Sequence, residues 1–125
     1  MMMRHARGFT LVELLLVLVV VGVLAGIAIS AYAGFRARGF DSMVASAVRQ
    51  IATAEEAHFA SHSSYTSDVS ALAGAVPGDV TLSVEAGNSG DLSSSFRVSG
   101  THPGAEHTWV WLSDPGPGES NLIAS

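Results

Sequence analysis

The sequence predicts an α+β protein, in which a long N-terminal helix with an apolar, membrane-spanning first half carries a small antiparallel sheet on its amphipathic second half. Three observations lead to this prediction. An uncharged run of 22 residues extends from Leu14 to Phe35, and a helical repeat of apolar residues follows it directly. The C-terminal part is rich in Gly, Ser and Thr, with short alternating runs between turn signals.

The uncharged run is long enough to cross a lipid bilayer. At about 1.5 Å per residue it spans roughly 33 Å as a helix, against a hydrocarbon core of about 30 Å. The whole chain of 125 residues is 48% hydrophobic and only 14% charged, which is unusual for a soluble protein. We therefore predict a membrane helix rather than a purely soluble globular domain.

Charge and cysteine content argue against several classes of function. Six basic residues, all of them Arg, face 11 acidic residues, which gives a net charge of −5. The basic residues are too few and too scattered to follow a phosphate backbone, so nucleic acid is not an expected partner. The chain has no Cys, so neither a disulfide nor a thiolate metal site can form, and packing alone must hold the C-terminal part together.

The N-terminal residues have the pattern of an export signal. Arg4 and Arg7 lie in a short basic leader, and Glu13 stands at the entrance of the apolar run. An ordinary secretory signal cleaved after Ala33 is one alternative, although the run is longer than the 7–15 residue core of such signals. A carboxylate in hydrocarbon costs roughly 2.5–3.5 kcal/mol unless it is paired. From the residues alone, Glu13 either extends to the membrane interface or requires a partner.

The segment Gly8-Phe9-Thr10-Leu11-Val12-Glu13-Leu14, between the basic leader and the apolar helix, resembles the processing site of type IV pilins and of the related type II secretion pseudopilins. The resemblance covers about residues 1–35 and rests on the order and spacing of Gly8, the aromatic Phe9 and the carboxylate of Glu13. A weaker similarity to the helix exit of many family members follows at Tyr65-Thr66-Ser67-Asp68.

The resemblance implies a defined maturation. A membrane prepilin peptidase would cut between Gly8 and Phe9 and methylate the new Phe9 amine, so that residues 1–8 are a cleaved leader. Arg4 and Arg7 would hold that leader on the cytoplasmic side. Their removal leaves four basic against 11 acidic residues, so the mature chain has a net charge of −7.

The resemblance also implies a function and a set of partners. The expected function is that of a structural subunit of a type IV pilus, polymerised through its apolar helix, in which Glu13 pairs with the Phe9 amine of a neighbouring copy. The expected partners are other copies, the peptidase, and an inner-membrane assembly platform with its ATPase. The precursor would span the bacterial inner membrane once before joining an extracellular pilus. A pseudopilin or minor pilin of a secretion or DNA-uptake system, and a secreted soluble domain, are the alternatives.

Small residues line one face of the apolar helix. Gly22 and Gly26 form a Gly-xxx-Gly pair, and Ser30 follows four residues later. Such a face allows close helix packing, although membrane helices are in general rich in Gly. Family members commonly carry Pro where this chain has Ser30, and a local unwinding often accompanies that Pro. Without the Pro, the unwinding between Gly22 and Ser30 stays an open question, since two Gly residues could still permit it.

The helix is predicted to continue from Phe9 to about Ala60, with residues 9–35 as its membrane half and residues 36–60 as its amphipathic half. One apolar face comprises Phe40, Val44, Ala47, Ile51 and Ala54. The polar residues Arg36, Arg38, Asp41, Arg49, Glu55 and Glu56 are predicted to lie on the solvent surface.

Residues 61–125 are predicted to form a small β-rich head. Alternating runs indicate three strands, around residues 80–84, 96–98 and 108–112, and turn signals lie at residues 77–79, 88–90, 102–104 and 114–118. Because the family often closes this region with a disulfide and none can form here, packing of Trp109 or Trp111 is expected to close it instead.

No residue set indicates catalysis, and no cofactor is expected. The chain has no Gly-rich phosphate loop and no Ser-centred nucleophile elbow, so we predict a protein that is not an enzyme. Glu55, His58 and His62 share one helical face and could bind a transition metal, but solvated side chains are usual at a polar helix end. No metal site is therefore predicted, and His102 and His107 are predicted to be surface residues.

Overall fold

The computed structural model describes residues 7–72, 74 and 76–125. Helix α1 spans Leu11–His62, and a 3-10 turn at Val69–Ala71 follows it. Four strands complete the chain: β1 Thr81–Ala86, β2 Phe96–Thr101, β3 Trp109–Leu112 and β4 Leu122–Ala124. One long helix with an antiparallel sheet confirms the predicted α+β class.

Internal contacts divide the chain into two compact units, Met1–Phe35 and Arg36–Ser125. Within the described part of the first unit, α1 is long and apolar enough to cross a membrane. Its large side chains are half or more exposed in the single chain; Leu24 is 60% exposed and Ile27 is 65% exposed. An apolar surface of this extent requires a lipid or a protein environment.

Helix α1 ends in a C-terminal cap at Ser63. Ser63 has a positive φ of 57°, and its amide donates a 2.7 Å hydrogen bond to the carbonyl of Phe59. A residue in the left-handed region just beyond a helix, with this bond back into the last turn, is a common C-terminal cap. The helix therefore ends two residues later than predicted, within the Ser61–Ser64 polar cluster.

The second unit contains an antiparallel meander with the strand order β1-β2-β3-β4. Val84 lies opposite Val98, which in turn lies opposite Trp111, so these side chains share one face of the sheet. At Gly100 this face lies close to α1. A Cβ at Gly100 would lie 2.6 Å from Cγ2 of Val48, so the backbone of β2 and the helix pack at a distance that no larger residue would allow.

The core of the second unit lies between the sheet and the second half of α1. Val44 and Val48 from the helix, and Phe96 and Val98 from β2, are 0% exposed. The ring of Tyr65, in the loop after the helix, packs against Phe96 with centroids 4.6 Å apart. Partly buried residues around this core include Leu82, Leu92, Trp109, Trp111 and Leu122.

The buried face of α1 differs from the predicted one. Val44, Ala47 and Ile51 are buried as expected, but Phe40 and Ala54 are only partly buried. The prediction that Asp41 and Glu55 lie on the solvent surface is wrong, because they are 8% and 0% exposed. Partners from distant segments bind both carboxylates, and a periodicity of apolar residues carries no information about such partners.

The alternating runs of the sequence predict three strands and do not include β4. It has only three residues, and its pairing extends beyond them, since the Thr108 amide donates to the Ser125 carbonyl and the Ser125 amide donates to the Thr108 carbonyl. Trp111 faces the core beside Leu122, its partner on β4. The C-terminus is thus held by main-chain pairing as well as by the expected Trp packing.

Candidate functional site

The start of α1 is built by a reciprocal pair of hydrogen bonds. The Glu13 amide donates to Oγ1 of Thr10 at 3.2 Å, and the Thr10 amide donates to Oε2 of Glu13 at 3.0 Å. This arrangement is a capping box, in which two otherwise unpaired helix N–H groups are satisfied by side chains. Glu13 therefore starts the helix in addition to carrying a charge.

The capping box is the feature that residue-based reasoning missed, although the sequence contains its signal. Thr10-x-x-Glu13 directly before an apolar run is the pattern that predicts a capping box. The box uses Oε2 of Glu13, and no protein donor binds Oε1 among the described residues. The same carboxylate thus has an oxygen left for a second donor.

Phe9 and the residues before it are open to solvent. The Phe9 side chain is 89% exposed, and Arg7, Gly8, Phe9 and Glu13 together line a shallow depression. The predicted site residues Gly8, Phe9 and Glu13 therefore lie close together in space. The predicted role of Arg4, together with the rest of residues 1–6, lies outside the described residues.

Among the residues that the structure describes, nothing around Gly8 requires a glycine. A Cβ built at this position meets no atom within 4 Å, and the backbone is not in the left-handed region. A larger side chain would therefore fit the described part of this chain without strain. A requirement for Gly at this position would come from another molecule.

The small residues of the apolar helix also face open space. A Cβ at Gly22 or at Gly26 would meet nothing within 4 Å, and α1 continues through this segment without a break. The hydroxyl of Ser30 donates to the Gly26 carbonyl at 3.5 Å, which satisfies it within the helix. The face is available for close contact with another helix, and its role in packing stays a prediction.

Asp41 ties the loop before β3 to the helix. Its Oδ2 lies 3.0 Å from Nδ1 of His107, and its Oδ1 accepts the His107 amide at 3.1 Å. The hydrogen bond from the His107 side chain holds the pKa of Asp41 below its usual value, and the same bond raises the pKa of His107. His107 is exposed, as predicted, and its ring is in addition anchored to the buried carboxylate of Asp41.

This contact gives a pH-dependent contribution to stability. Because the pKa of His107 is raised, protonated His107 stabilises the folded state fully below pH 6.5. This stabilisation is lost as the pH rises through the pKa of His107 in the folded state. Because the pKa of Asp41 is lowered, ionised Asp41 stabilises the folded state fully above pH 3.8. This stabilisation is lost as the pH falls through the pKa of Asp41 in the folded state. Because the ring is half exposed, solvent screening keeps the effect small.

We expect His107→Gln to flatten the pH dependence of unfolding. The apparent melting temperature of the wild-type head, followed by Trp fluorescence in detergent, should fall between pH 6 and pH 8 by more than that of the variant. His102→Gln is the matched control, because His102 stacks on Phe40 and does not contact Asp41. Equal slopes for His107→Gln and the wild type would contradict a titrating contact at Asp41.

Glu55 is the second buried carboxylate. Its Oε2 accepts the Thr66 amide at 3.0 Å, while its Oε1 is buried and has no partner among the described residues. Burial raises the pKa of Glu55 above its usual value. Glu55 therefore joins the end of α1 to the loop that follows, and it is not a free ligand on the helix surface.

The structure does not place the three candidate metal ligands, Glu55, His58 and His62, together on one accessible surface. Glu55 is directed into the core, whereas His58 is half-buried and His62 is exposed. Elsewhere in the described part of the chain, ligand atoms of Asp41, Glu106 and His107 lie within 4.8 Å of one another. Two of these three residues already bind each other, which gives that cluster a structural explanation.

The N-terminal segment matches the family model for the prokaryotic N-terminal methylation motif over residues 3–29. The chain is also 28% identical over 127 residues to the type IV wide pilus major component PilA4 of Thermus thermophilus. That similarity covers 98% of this chain and 94% of the relative. It therefore includes the head as well as the N-terminal helix.

Proposed function

We infer that this chain is a type IV pilin, a structural subunit that polymerises into a pilus through its N-terminal helix. The methylation motif at residues 3–29 and the similarity to a major pilus component along 98% of the chain support this function. The observation that carries it is the N-terminal segment, in which Gly8, an exposed Phe9 and the carboxylate of Glu13 directly precede an exposed apolar helix.

The proposed maturation is a cut between Gly8 and Phe9 by a prepilin peptidase, followed by methylation of the new amine. The open space around Gly8 supports it, because the described residues give no reason for glycine there. Before the cut, the precursor spans the inner membrane once through the apolar part of α1. An assembly platform and its ATPase then transfer it to the filament.

Assembly gives Glu13 the partner that its position requires. Cleavage creates a cationic amine at Phe9, and the free Oε1 of Glu13 in a neighbouring subunit is the acceptor we propose for it. The exposed apolar side chains of Leu11 to Phe35 would pass from lipid into a protein core in the same step. Such a buried pair fixes the register between subunits more than it adds net stability.

No catalytic step is part of this proposal. The chain acts by binding copies of itself, and its described residues supply packing surfaces and one membrane-level charge. The similarity to a major pilus component over most of both chains favours a pilus subunit over a pseudopilin of a secretion system.

The test of the proposed maturation is the N-terminus of the exported chain, determined by intact-mass and N-terminal peptide mass spectrometry. We expect the wild type to begin with an N-methylated Phe9, and we expect Gly8→Leu to accumulate as the uncut precursor. Gly34→Leu is a matched control, because a Cβ at Gly34 also meets nothing within 4 Å and only cleavage after Ala33 would be affected. A mature chain that begins at Gly34, or efficient maturation of Gly8→Leu, would overturn the proposal.

Filament preparations test the second step. Sheared surface filaments should contain this chain as the main component and should be absent when Gly8→Leu replaces the wild type. If the chain occurs only as a trace component, it is a minor pilin or a pseudopilin instead.

A further inference from the structure

The arginines beyond the apolar run have no partner in the described part of the chain. All four of them are exposed: Arg36, Arg38, Arg49 and Arg97. The salt bridge that forms among the described residues joins Asp41 to His107, and no hydrogen bond there involves a guanidinium group. This is unexpected in a chain with 11 acidic residues. The guanidinium groups are therefore available to another molecule.

Two of these arginines lie directly beyond the apolar run. Arg36 follows Phe35, and Arg38 is two residues further along α1. At about 1.5 Å per residue, both lie within roughly 5 Å of the end of the run. The headgroup layer on each side of a bilayer is about 5–8 Å thick, because the bilayer is about 40–45 Å thick and its hydrocarbon core about 30 Å. When residues 14–35 cross a membrane, both arginines are therefore at the depth of the lipid phosphate groups.

The ring of Phe40 joins Arg36 to the head. The guanidinium carbon of Arg36 lies 5.5 Å from the centre of this ring, which is the distance of a cation–π contact. Phe40 also stacks on His102, with ring centroids 4.0 Å apart. A Cβ at Gly104 would lie 2.6 Å from the Phe40 ring, so the turn after β2 packs closely against the same side chain. This turn is thus held beside the start of the amphipathic half of α1.

The polar groups at this end of the head are hydrogen-bond donors. Nδ1 of His102 accepts the Gly104 amide at 2.8 Å, so the neutral ring carries its proton on Nε2. Each guanidinium group offers five N–H donors in a planar fork that matches a phosphate group. Neither kind of group can accept a hydrogen bond in this state. The chemistry therefore suits an anion.

The charges of the chain are distributed unevenly along it. Glu13 is the only one of the 11 acidic residues that precedes Arg36, and the next is Asp41. Asp41 is buried and paired with His107, and a carboxylate oxygen of Glu106 lies within 4.8 Å of that pair. The other acidic residues follow further along the chain. An anionic surface would therefore attract the segment next to the apolar run and repel the remainder of the head.

Membrane insertion does not explain the two arginines. In the proposed precursor the basic leader is cytoplasmic, so Arg36 and Arg38 lie on the opposite side of the membrane. Positive charges on that side oppose the usual orientation, in which Lys and Arg remain in the cytoplasm. A favourable contact on the outer side would offset this effect.

We propose that Arg36 and Arg38 bind the phosphate groups of anionic phospholipids in the outer leaflet of the membrane that holds the precursor. This proposal rests on the membrane span of the proposed function. A carboxylate of a neighbouring subunit offers similar chemistry, but before assembly the lipid phosphate is the anion at the depth of these residues. The lipid contact holds the base of the head at the membrane surface and is broken when the subunit enters the filament.

The test uses the full-length chain in phosphatidylcholine vesicles that contain a trace of spin-labelled phosphatidylglycerol or spin-labelled phosphatidylcholine. Electron paramagnetic resonance measures the fraction of each labelled lipid that the protein immobilises. We expect the wild type to prefer phosphatidylglycerol. Arg36→Gln with Arg38→Gln should lower this preference at least about twofold, and the basic leader on the other side accounts for the remainder.

A second pair of arginines gives a matched control. Arg49 and Arg97 are also exposed, but Arg49 is about 21 Å along the helix from Phe35, and Arg97 lies on β2. Arg49→Gln with Arg97→Gln removes the same charge, and we expect it to keep the lipid preference of the wild type. Near-ultraviolet circular dichroism should show an unchanged fold in both double variants, because the replaced side chains are exposed.

Two results would overturn the proposal. The first is an equal lipid preference in the wild type and in Arg36→Gln with Arg38→Gln; a loss of filaments in that variant would then assign the arginines to carboxylates of neighbouring subunits. The second is an equal loss of preference in both double variants, which would show that net charge and not position attracts the lipid.

Carbonate extraction of the vesicles separates failure of this proposal from failure of the proposed function. A chain that resists extraction and shows either of these two results overturns only the lipid contact. A chain that carbonate removes does not span the bilayer, which would overturn the membrane-spanning precursor and the lipid contact together.

Discussion

Replacement of Glu13 by Gln should leave a chain that is cut and inserted in the membrane but fails to form filaments. The amide oxygen of Gln can still accept the Thr10 amide, so the capping box and the start of α1 are kept. The negative charge is lost, and the Phe9 amine of a neighbouring subunit would be buried without a partner. Because such a buried charge costs about 3–5 kcal/mol, we expect the yield of sheared filaments to fall by far more than tenfold.

Two further variants separate charge from capping. Glu13→Ala removes both functions and should assemble no better than Glu13→Gln. Thr10→Ala removes the hydroxyl that caps the Glu13 amide but keeps the charge, so it should lose about 1 kcal/mol of helix stability and still form filaments. Membrane fractionation and mass spectrometry would check insertion and cleavage for each variant. Normal filament yield from Glu13→Gln would show that capping, not pairing, is the role of Glu13.

Replacement of Phe96 by Ala should cost the head about 3–5 kcal/mol. Phe96 is 0% exposed and joins the sheet to Tyr65 and to the helix face, so its removal leaves a cavity at the centre of the core. A domain of this size has a total stability of about 5–15 kcal/mol, and no disulfide supports this one. Urea unfolding of the full chain in detergent, followed by Trp fluorescence, should show a midpoint lowered by more than about 1 M.

Ile123→Ala is the control for this measurement. Ile123 lies on β4 and is 40% exposed, so its truncation should cost under about 1 kcal/mol. If both variants unfold at the same urea concentration, Phe96 does not hold the core together. A midpoint for Phe96→Ala within about 0.3 M of the wild type would contradict the described packing of the head.

The first half of α1 could be predicted almost entirely from the sequence. Its length, its lack of charge and the position of Glu13 are properties of consecutive residues, and a helix satisfies its own backbone hydrogen bonds without any partner. The same holds for the turns of the sheet, because Gly, Pro and Asn act locally on the backbone. The capping box belongs to this group as well, since its signal is a four-residue pattern.

The second half of α1 and the head show where local patterns are insufficient. Asp41 pairs with His107, 66 residues away, and Glu55 binds the amide of Thr66, 11 residues away. A carboxylate on a helix is predicted to lie on the surface unless its hydrogen-bond partner is known. That partner can be identified only from the tertiary structure. Strand β4 is a similar case, because three residues form a strand only when β3 offers them an edge.

The sequence by itself determined the apolar helix that is long enough to cross a membrane, the N-terminal methylation motif and the α+β class, because each depends on periodicity, composition or spacing along the chain. Only the tertiary structure decided which polar residues are buried and how the C-terminus is held. The physical reason is the same in each case. Burial and hydrogen bonding of a polar group depend on the atoms that meet it in space, and these atoms come from other segments of the chain.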